Sequence, residues 1–129
     1  MADLYSITEN INFLGSKNAI EIKKELQNST MYLQTSLAEG FSNSCLEAQS
    51  QGLMCVVTDV SGMSACIENE KTGFIVKERK PELVSEAIKK IHQIDINSRK
   101  EREIYASNRV FKSFTHENQK QSWLKFFES

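Results

Sequence analysis

The sequence predicts an α/β fold: an open parallel sheet with helices on its faces and extra helices at the C-terminal end. Three observations point there. Short apolar runs alternate with stretches of helical period, the loops between them are short, and no Pro- or Gly-rich linker or internal repeat interrupts the alternation. A length of 129 residues suits one domain with one modest core.

Ile11 to Leu14 (INFL) is an apolar run closed by Gly15 and reads as a strand. From Asn18 to Gln27 the apolar positions Ala19, Ile20, Ile22 and Leu26 fall at helical spacing. A second strand is expected at Met31–Thr35, then a loop from Ser36 to Asn43 and a short helix from Ser44 to Gln51 ending at Gly52. Met54–Thr58 (MCVVT) is rich in β-branched residues and reads as a buried strand. Met63–Asn69 is expected to be a short helix and Gly73–Val76 a strand. Pro81 opens an amphipathic helix, in the first turn where its missing N–H costs nothing, with Leu83, Val84, Ala87, Ile88 and Ile91 as the inner stripe. Two further helices are expected near Asn97–Phe114 and Glu117–Phe127.

Sixteen basic and seventeen acidic residues give a net charge of −1, which argues against nucleic acid as a partner. Cys45, Cys55 and Cys66 form no C-x-x-C pair and lie among apolar or small residues, as expected of reduced, buried thiols in a cytosolic protein. No apolar run approaches a membrane span, and MADLYSITEN lacks a signal-peptide core. A cytoplasmic location is expected, with work at a membrane surface left open.

In open α/β sheets ligands bind beyond the carboxyl ends of the strands, which directs attention to the loop after Met31–Thr35. It runs Ser36-Leu37-Ala38-Glu39-Gly40-Phe41-Ser42-Asn43-Ser44-Cys45-Leu46-Glu47-Ala48. Gly40 lets backbone approach a ligand. Small polar residues then start a helix whose free N–H groups and positive dipole end favour a phosphate or diphosphate. Glu39 before the helix and Glu47 within it suit hydroxyls rather than phosphates. A nucleotide sugar meets both demands. Ser44-x-x-Glu47 is equally a capping-box pattern, in which Glu47 only closes its own helix, and Glu39 equally reads as an exposed loop carboxylate.

The run EGFSNSCLEAQSQGLMCVVTDVSGM resembles the E-x7-E signature region of family-4 retaining glycosyltransferases of GT-B architecture. The matching positions are Glu39-Gly40-Phe41, Glu47-Ala48, Gly52, Met54–Thr58 and Gly62. Asn12-Phe13-Leu14-Gly15 is similar to the family's strand ending in Phe-x-Gly, and Lys71–Val76 to its Thr-Gly-strand element, so the resemblance runs from Ile11 to Phe127. It implies part of a Rossmann-like donor-binding domain, a GT-B C-terminal domain fragment spanning 1–129. By resemblance Glu39 contacts the transferred sugar near the reaction centre, and the backbone at Gly40, Phe41 and Ser42 meets sugar and diphosphate. Amides at Asn43 and Ser44 cap the phosphates, Glu47 holds the ribose, and Gly15, Ser16 and Lys17 lie near the base. The substrate implied is a nucleotide-diphosphate sugar, with no cofactor and no metal. The acceptor implied is a saccharide or lipid-linked molecule, as in polysaccharide biosynthesis, with peripheral membrane association of the full enzyme.

Departures from the family pattern carry expectations too. The turn after Gly62 usually reads Pro-Glu and here is Ser64-Ala65. Two earlier strands, their basic diphosphate clamp and the acceptor-binding N-terminal domain have no room in the ten residues before Ile11, so the chain is expected to be inactive in isolation. In the parent order 3-2-1-4-5-6 the edge of Met31–Thr35 would lack its neighbour. Ile11–Leu14 is expected to slide inward and pair with it, the alternative being a homodimer through that edge. His92 and His116 read as solvated helix residues, Lys77–Lys80 as a solvated turn, and Trp123, Phe126 and Phe127 as core or interdomain packing. Beside the enzyme reading stand two others: a stand-alone half-domain that pairs with a separate chain or binds nucleotide without catalysis, and a remnant without activity.

Overall fold

The computed structural model describes residues 7–128; residues 1–6, part of the segment read as lacking a signal-peptide core, lie outside them. After a single 3-10 turn at Thr8–Asn10 the elements are α1 (Ala19–Gln27), β1 (Met31–Gln34), α2 (Asn43–Ser50), β2 (Met54–Thr58), α3 (Met63–Cys66), β3 (Gly73–Val76), α4 (Pro81–Gln93), α5 (Ile96–Ser113) and α6 (His116–Glu128). The three strands form one parallel sheet in the order β1-β2-β3, with Met31 opposite Met54 and Cys55 opposite Gly73.

Every residue of β2 is buried, as a central parallel strand with both faces covered requires. Its side chains alternate between two half-cores. Cys55 and Val57 face Cys45, Leu46, Ala48, Met63 and Cys66 beneath α2, whereas Met54 and Val56 meet Val76, Ala87 and Ile91 beneath α4. Burying one such aliphatic side chain contributes about 1.5–3 kcal/mol of transfer free energy. Of the expected α4 stripe, Ala87 and Ile91 are buried and Leu83, Val84 and Ile88 pack at its margin. Helix α5 lies along α2 and completes that layer. No helix among the described residues is long and apolar enough to cross a membrane.

Three expectations are met in part or not at all. Ile11–Leu14 forms no strand: Phe13 is 87 % exposed and Leu14 52 %, and the inward pairing with β1 is absent, so β1 ends the sheet. A crossover helix delivers its strand only when it packs on the sheet, and α1 buries no residue. Of the core or interdomain packing expected for Trp123, Phe126 and Phe127, the core half is not met. They stack on one another, the Trp123 and Phe127 centroids 5.8 Å apart, and each is more than half exposed. Their spacing made a helix face, but the two half-cores are already filled without it. The expected Met63–Asn69 helix stops at Cys66, because Asn69 bridges to Gly73 and Thr72 accepts the Glu68 amide through its Oγ1.

Candidate functional site

The loop between β1 and α2 crosses the carboxyl end of the sheet and is held at several points. Thr58 at the end of β2 donates its hydroxyl to the Ser36 carbonyl at 2.8 Å. Arg79, in the turn before α4, donates to the Leu37 carbonyl at 3.2 Å. Gly62, at φ +88, lies so close to Gly40 that a Cβ placed on it would sit 1.8 Å from the Gly40 oxygen. Only glycine permits that approach, which fixes the height of the Glu39–Gly40 backbone. Behind the loop Gln34 accepts from the Ser42 hydroxyl at 2.7 Å and donates to Ser36 Oγ at 3.0 Å, and Ser36 reaches Glu39 Oε2 at 3.4 Å.

Ser42, not Ser44, caps α2: its buried hydroxyl accepts the Cys45 amide at 3.2 Å. That excludes the capping-box reading of Ser44 and Glu47, because Glu47 is then the fifth helical residue, beyond reach of the cap. The Asn43 and Ser44 amides meet no acceptor among the described residues and open to solvent at the positive end of the helix. Asn43, Ser44 and Glu47 share the exposed face. Since helical Cα–Cβ bonds tilt toward the N-terminus, Glu47 leans back toward the two free amides. Glu39 is half-buried at the other end of the same loop. The arrangement offers an anion two backbone donors and offers hydroxyls a carboxylate on either side.

Support comes from below. Gln49, fully buried, donates to the Cys66 carbonyl at 2.9 Å and pins α2 to the end of α3. Arg109 of α5 donates to the same carbonyl at 2.9 Å and pairs with Glu68 at 2.8 Å, its guanidinium lying 4.8 Å over the Phe114 ring. Phe114 in turn meets Phe41, centroids 5.9 Å apart, so the aromatic of the Gly40-Phe41 pair packs on α5. Cys45, Cys55 and Cys66 are buried and unpaired, as expected. The Cys55 thiol, hydrogen-bonded to Cys45 and buried, is pushed well up, and burial raises Cys66, which suits packing rather than nucleophilic work.

The structure therefore brings together Glu39, Gly40, Phe41, Ser42, Asn43, Ser44 and Glu47. Lys17 pairs with Glu25 of α1 at 3.2 Å, and among the described residues no hydrogen bond joins Gly15, Ser16 or Lys17 to the 36–44 loop. His92 and His116 are exposed on helices. Sequence reasoning missed Gln34, Ser36 and Arg109, although a glutamine closing an apolar strand was a visible signal. A cleft of about 480 Å³ lined by Thr35, Leu37, Thr58, Arg79 and Ile88 opens at this end of the sheet on the α4 side. One of similar volume, lined by Gln27, Gln51 and Asn108 among others, lies at the opposite end, away from the free amides.

The family model described as glycosyl transferases group 1 matches residues 1–109. The chain is 33 % identical over 72 residues to an Escherichia coli UDP-Gal:alpha-D-GlcNAc-diphosphoundecaprenol alpha-1,3-galactosyltransferase, covering 56 % of this chain and 18 % of that protein. It is 28 % identical over 90 residues to the Staphylococcus aureus capsular polysaccharide biosynthesis glycosyltransferase CapM, covering 70 % and 24 %. It is 29 % identical over 94 residues to the GPI3 subunit of phosphatidylinositol N-acetylglucosaminyltransferase of Saccharomyces cerevisiae, covering 73 % and 21 %. The chain thus spans roughly a fifth of the length of these relatives. With a three-stranded parallel α/β sheet and a family match over most of its length, the chain belongs to the glycosyl transferases group 1 family.

Proposed function

We propose that this chain is the donor-binding part of a retaining, family-4-type glycosyltransferase that moves a sugar from a nucleotide diphosphate to a saccharide or lipid-linked acceptor. One observation carries the reading: the Asn43 and Ser44 backbone amides at the start of α2 have no partner among the described residues, with Glu39 before them in the loop and Glu47 after them on the exposed face of the helix. In this reading the Asn43 and Ser44 amides hold the diphosphate, Glu47 the ribose hydroxyls and Glu39 the hydroxyls of the transferred sugar. As the sugar departs, negative charge grows on the diphosphate, and fixed amide dipoles offset it without reorganising. The two carboxylates recognise hydroxyls; neither is assigned a nucleophilic role. The printed activities of the three relatives, each a glycosyl transfer, support the reaction class, and the diphosphoundecaprenol and phosphatidylinositol in two of their names support a lipid-linked acceptor.

Titrating UDP- and GDP-sugars into the chain and into Glu47→Ala tests the site. Loss of roughly tenfold in affinity is expected, the scale of one hydrogen bond to a charged group. Equal affinities would remove Glu47 from the site. Sugar transfer by the 129-residue chain alone is expected to be undetectable at high protein concentration. A second reading, a half-domain that pairs with a separate chain, is favoured by the bare edge of β1 and the exposed aromatic face of α6. Light scattering across a dilution series with a second chain separates the two.

A further inference from the structure

We propose that Gln34 is a positioning residue that sets the sugar-facing carboxylate and the diphosphate-facing helix start at a fixed spacing. The inference rests on the donor-binding reading above. Gln34 is the last residue of β1, opposite Val57, and it is rooted in the sheet rather than in the loop it serves. Its Oε1 accepts from Ser42 Oγ at 2.7 Å and from the Tyr32 hydroxyl at 3.2 Å. Its Nε2 donates to Ser36 Oγ at 3.0 Å, and Ser36 then donates to Glu39 Oε2 at 3.4 Å. The orientation of the amide follows from its neighbours. Ser42 Oγ already accepts the Cys45 amide, and of the two acceptors in range of its proton the Gln34 carbonyl oxygen at 2.7 Å is much the nearer, Ser44 Oγ lying at 3.4 Å. Burial raises the Tyr32 phenol above its ordinary value, which keeps it a donor to that oxygen.

One rigid, planar group therefore reaches both halves of the site. Its oxygen orients the Ser42 cap, which accepts the Cys45 amide and so fixes the turn that carries the open Asn43 and Ser44 amides, and its nitrogen orients the serine that restrains Glu39. The two functions separate chemically. Gln34→Glu keeps an oxygen for Ser42 and Tyr32 but loses the N–H that Ser36 accepts, and its carboxylate competes with Glu39 for the Ser36 proton. Gln34→Leu loses both arms, and Ser36→Ala loses only the Glu39 arm.

The test compares binding of UDP and UDP-galactose by the whole chain, with amide hydrogen exchange on the unliganded protein. Gln34→Glu and Ser36→Ala are expected to hold UDP within about twofold while losing roughly tenfold in the preference for UDP-galactose over UDP. Gln34→Leu is expected to weaken both by about tenfold and to speed exchange at the Cys45 amide, which Gln34→Glu leaves unchanged. Parallel losses for both ligands in all three variants would reduce Gln34 to a structural residue and overturn the proposal. If the unmodified chain binds neither ligand, the donor reading falls on its own. Exchange at Cys45 then tests only the link from Gln34 to the cap, and no change in Gln34→Leu overturns that link as well.

Discussion

Helices α1 and α2 both begin with a side-chain cap, and their first turns end in opposite states. At α1 the Asn18 side chain accepts the Ile20 and Glu21 amides, and Glu21 reaches back to accept the Asn18 amide, a complete capping box. Glu21 also puts negative charge where an anion would sit. At α2 the cap accepts one amide, Cys45, and leaves Asn43 and Ser44 open. The first start is locally satisfied and supports a helix with no fully buried residue, Leu26 alone packing on the half-core from its last turn. The second is locally incomplete and belongs to a helix with four buried residues, Cys45, Leu46, Ala48 and Gln49. Tertiary packing lets a helix keep donors free for a ligand; a helix without it relies on its own cap.

The largest expected effect tests the packing half of that contrast. Gly62 and Gly15 both have positive φ, +88 and +66, but Gly15 faces open space and Gly62 touches Gly40. Gly15→Ala is expected to cost about 1–2 kcal/mol, the left-handed backbone penalty alone. Gly62→Ala adds a backbone clash and is expected to cost roughly 3 kcal/mol or more, while also lifting the Glu39–Gly40 loop. Urea unfolding of both variants measures the difference. Similar costs would mean that the Gly62–Gly40 contact does not hold the loop.

A smaller effect tests the free-amide half. Proline at the first helical position removes an N–H with little strain, provided the residue before it is extended. Ser42 and Asn18 both are, at φ −95, ψ 97 and φ −79, ψ 170. Asn43→Pro is therefore expected to leave the unfolding midpoint nearly unchanged and to weaken UDP binding by roughly tenfold. Ala19→Pro is the control and should change neither. Calorimetric titration of UDP into both proteins, in matched buffers, gives the comparison. Unaltered UDP affinity in Asn43→Pro would remove the α2 amides from the site.

The same contrast explains what the sequence disclosed. Periodicity found α1, the closing Gly52 marked the end of α2, and β-branched content found β2 to the residue, because those signals are local. The motif run located Glu39 through Glu47, but not which serine caps the helix, since Ser42 and Ser44 each offer a hydroxyl and the choice depends on Gln34 lying behind Ser42. Ile11–Leu14 has the composition of a strand, yet a strand also needs an edge and a packed crossover, and neither can be read from four residues. Arg109 was invisible because its partners, Ala65, Cys66 and Glu68, are some forty residues away in sequence. The aromatic spacing of α6 described a face without saying whether anything covers it.

The smallest expected effect concerns pH and the clamp that supports α2 from α5. Glu68 accepts from the Tyr105 hydroxyl at 2.9 Å and pairs with Lys71 and Arg109, and these contacts, Tyr105 foremost, hold its carboxyl below the ordinary glutamate value of 4.5. A carboxyl depressed in the folded protein contributes stability that is fully present above the unfolded value and is lost as pH falls through the folded one. The clamp should thus act fully at pH 7 and fade below about 4.5. Because Glu68 is only partly shielded, solvent screening keeps the effect modest. Asp95, the cap of α5, is depressed as well by its bonds to Ser98, so wild-type acid unfolding alone would mix the two groups. The gap in melting temperature between wild type and Glu68→Gln isolates one of them: it should stay constant from pH 7 to about 5 and narrow at lower pH. A gap that does not change with pH would show that the carboxylate charge is not what ties α5, and through it α2, to the end of α3. Exchange at the amides of the first turn of α1 should be the same in both proteins at every pH, since that cap is made by Asn18 and Glu21.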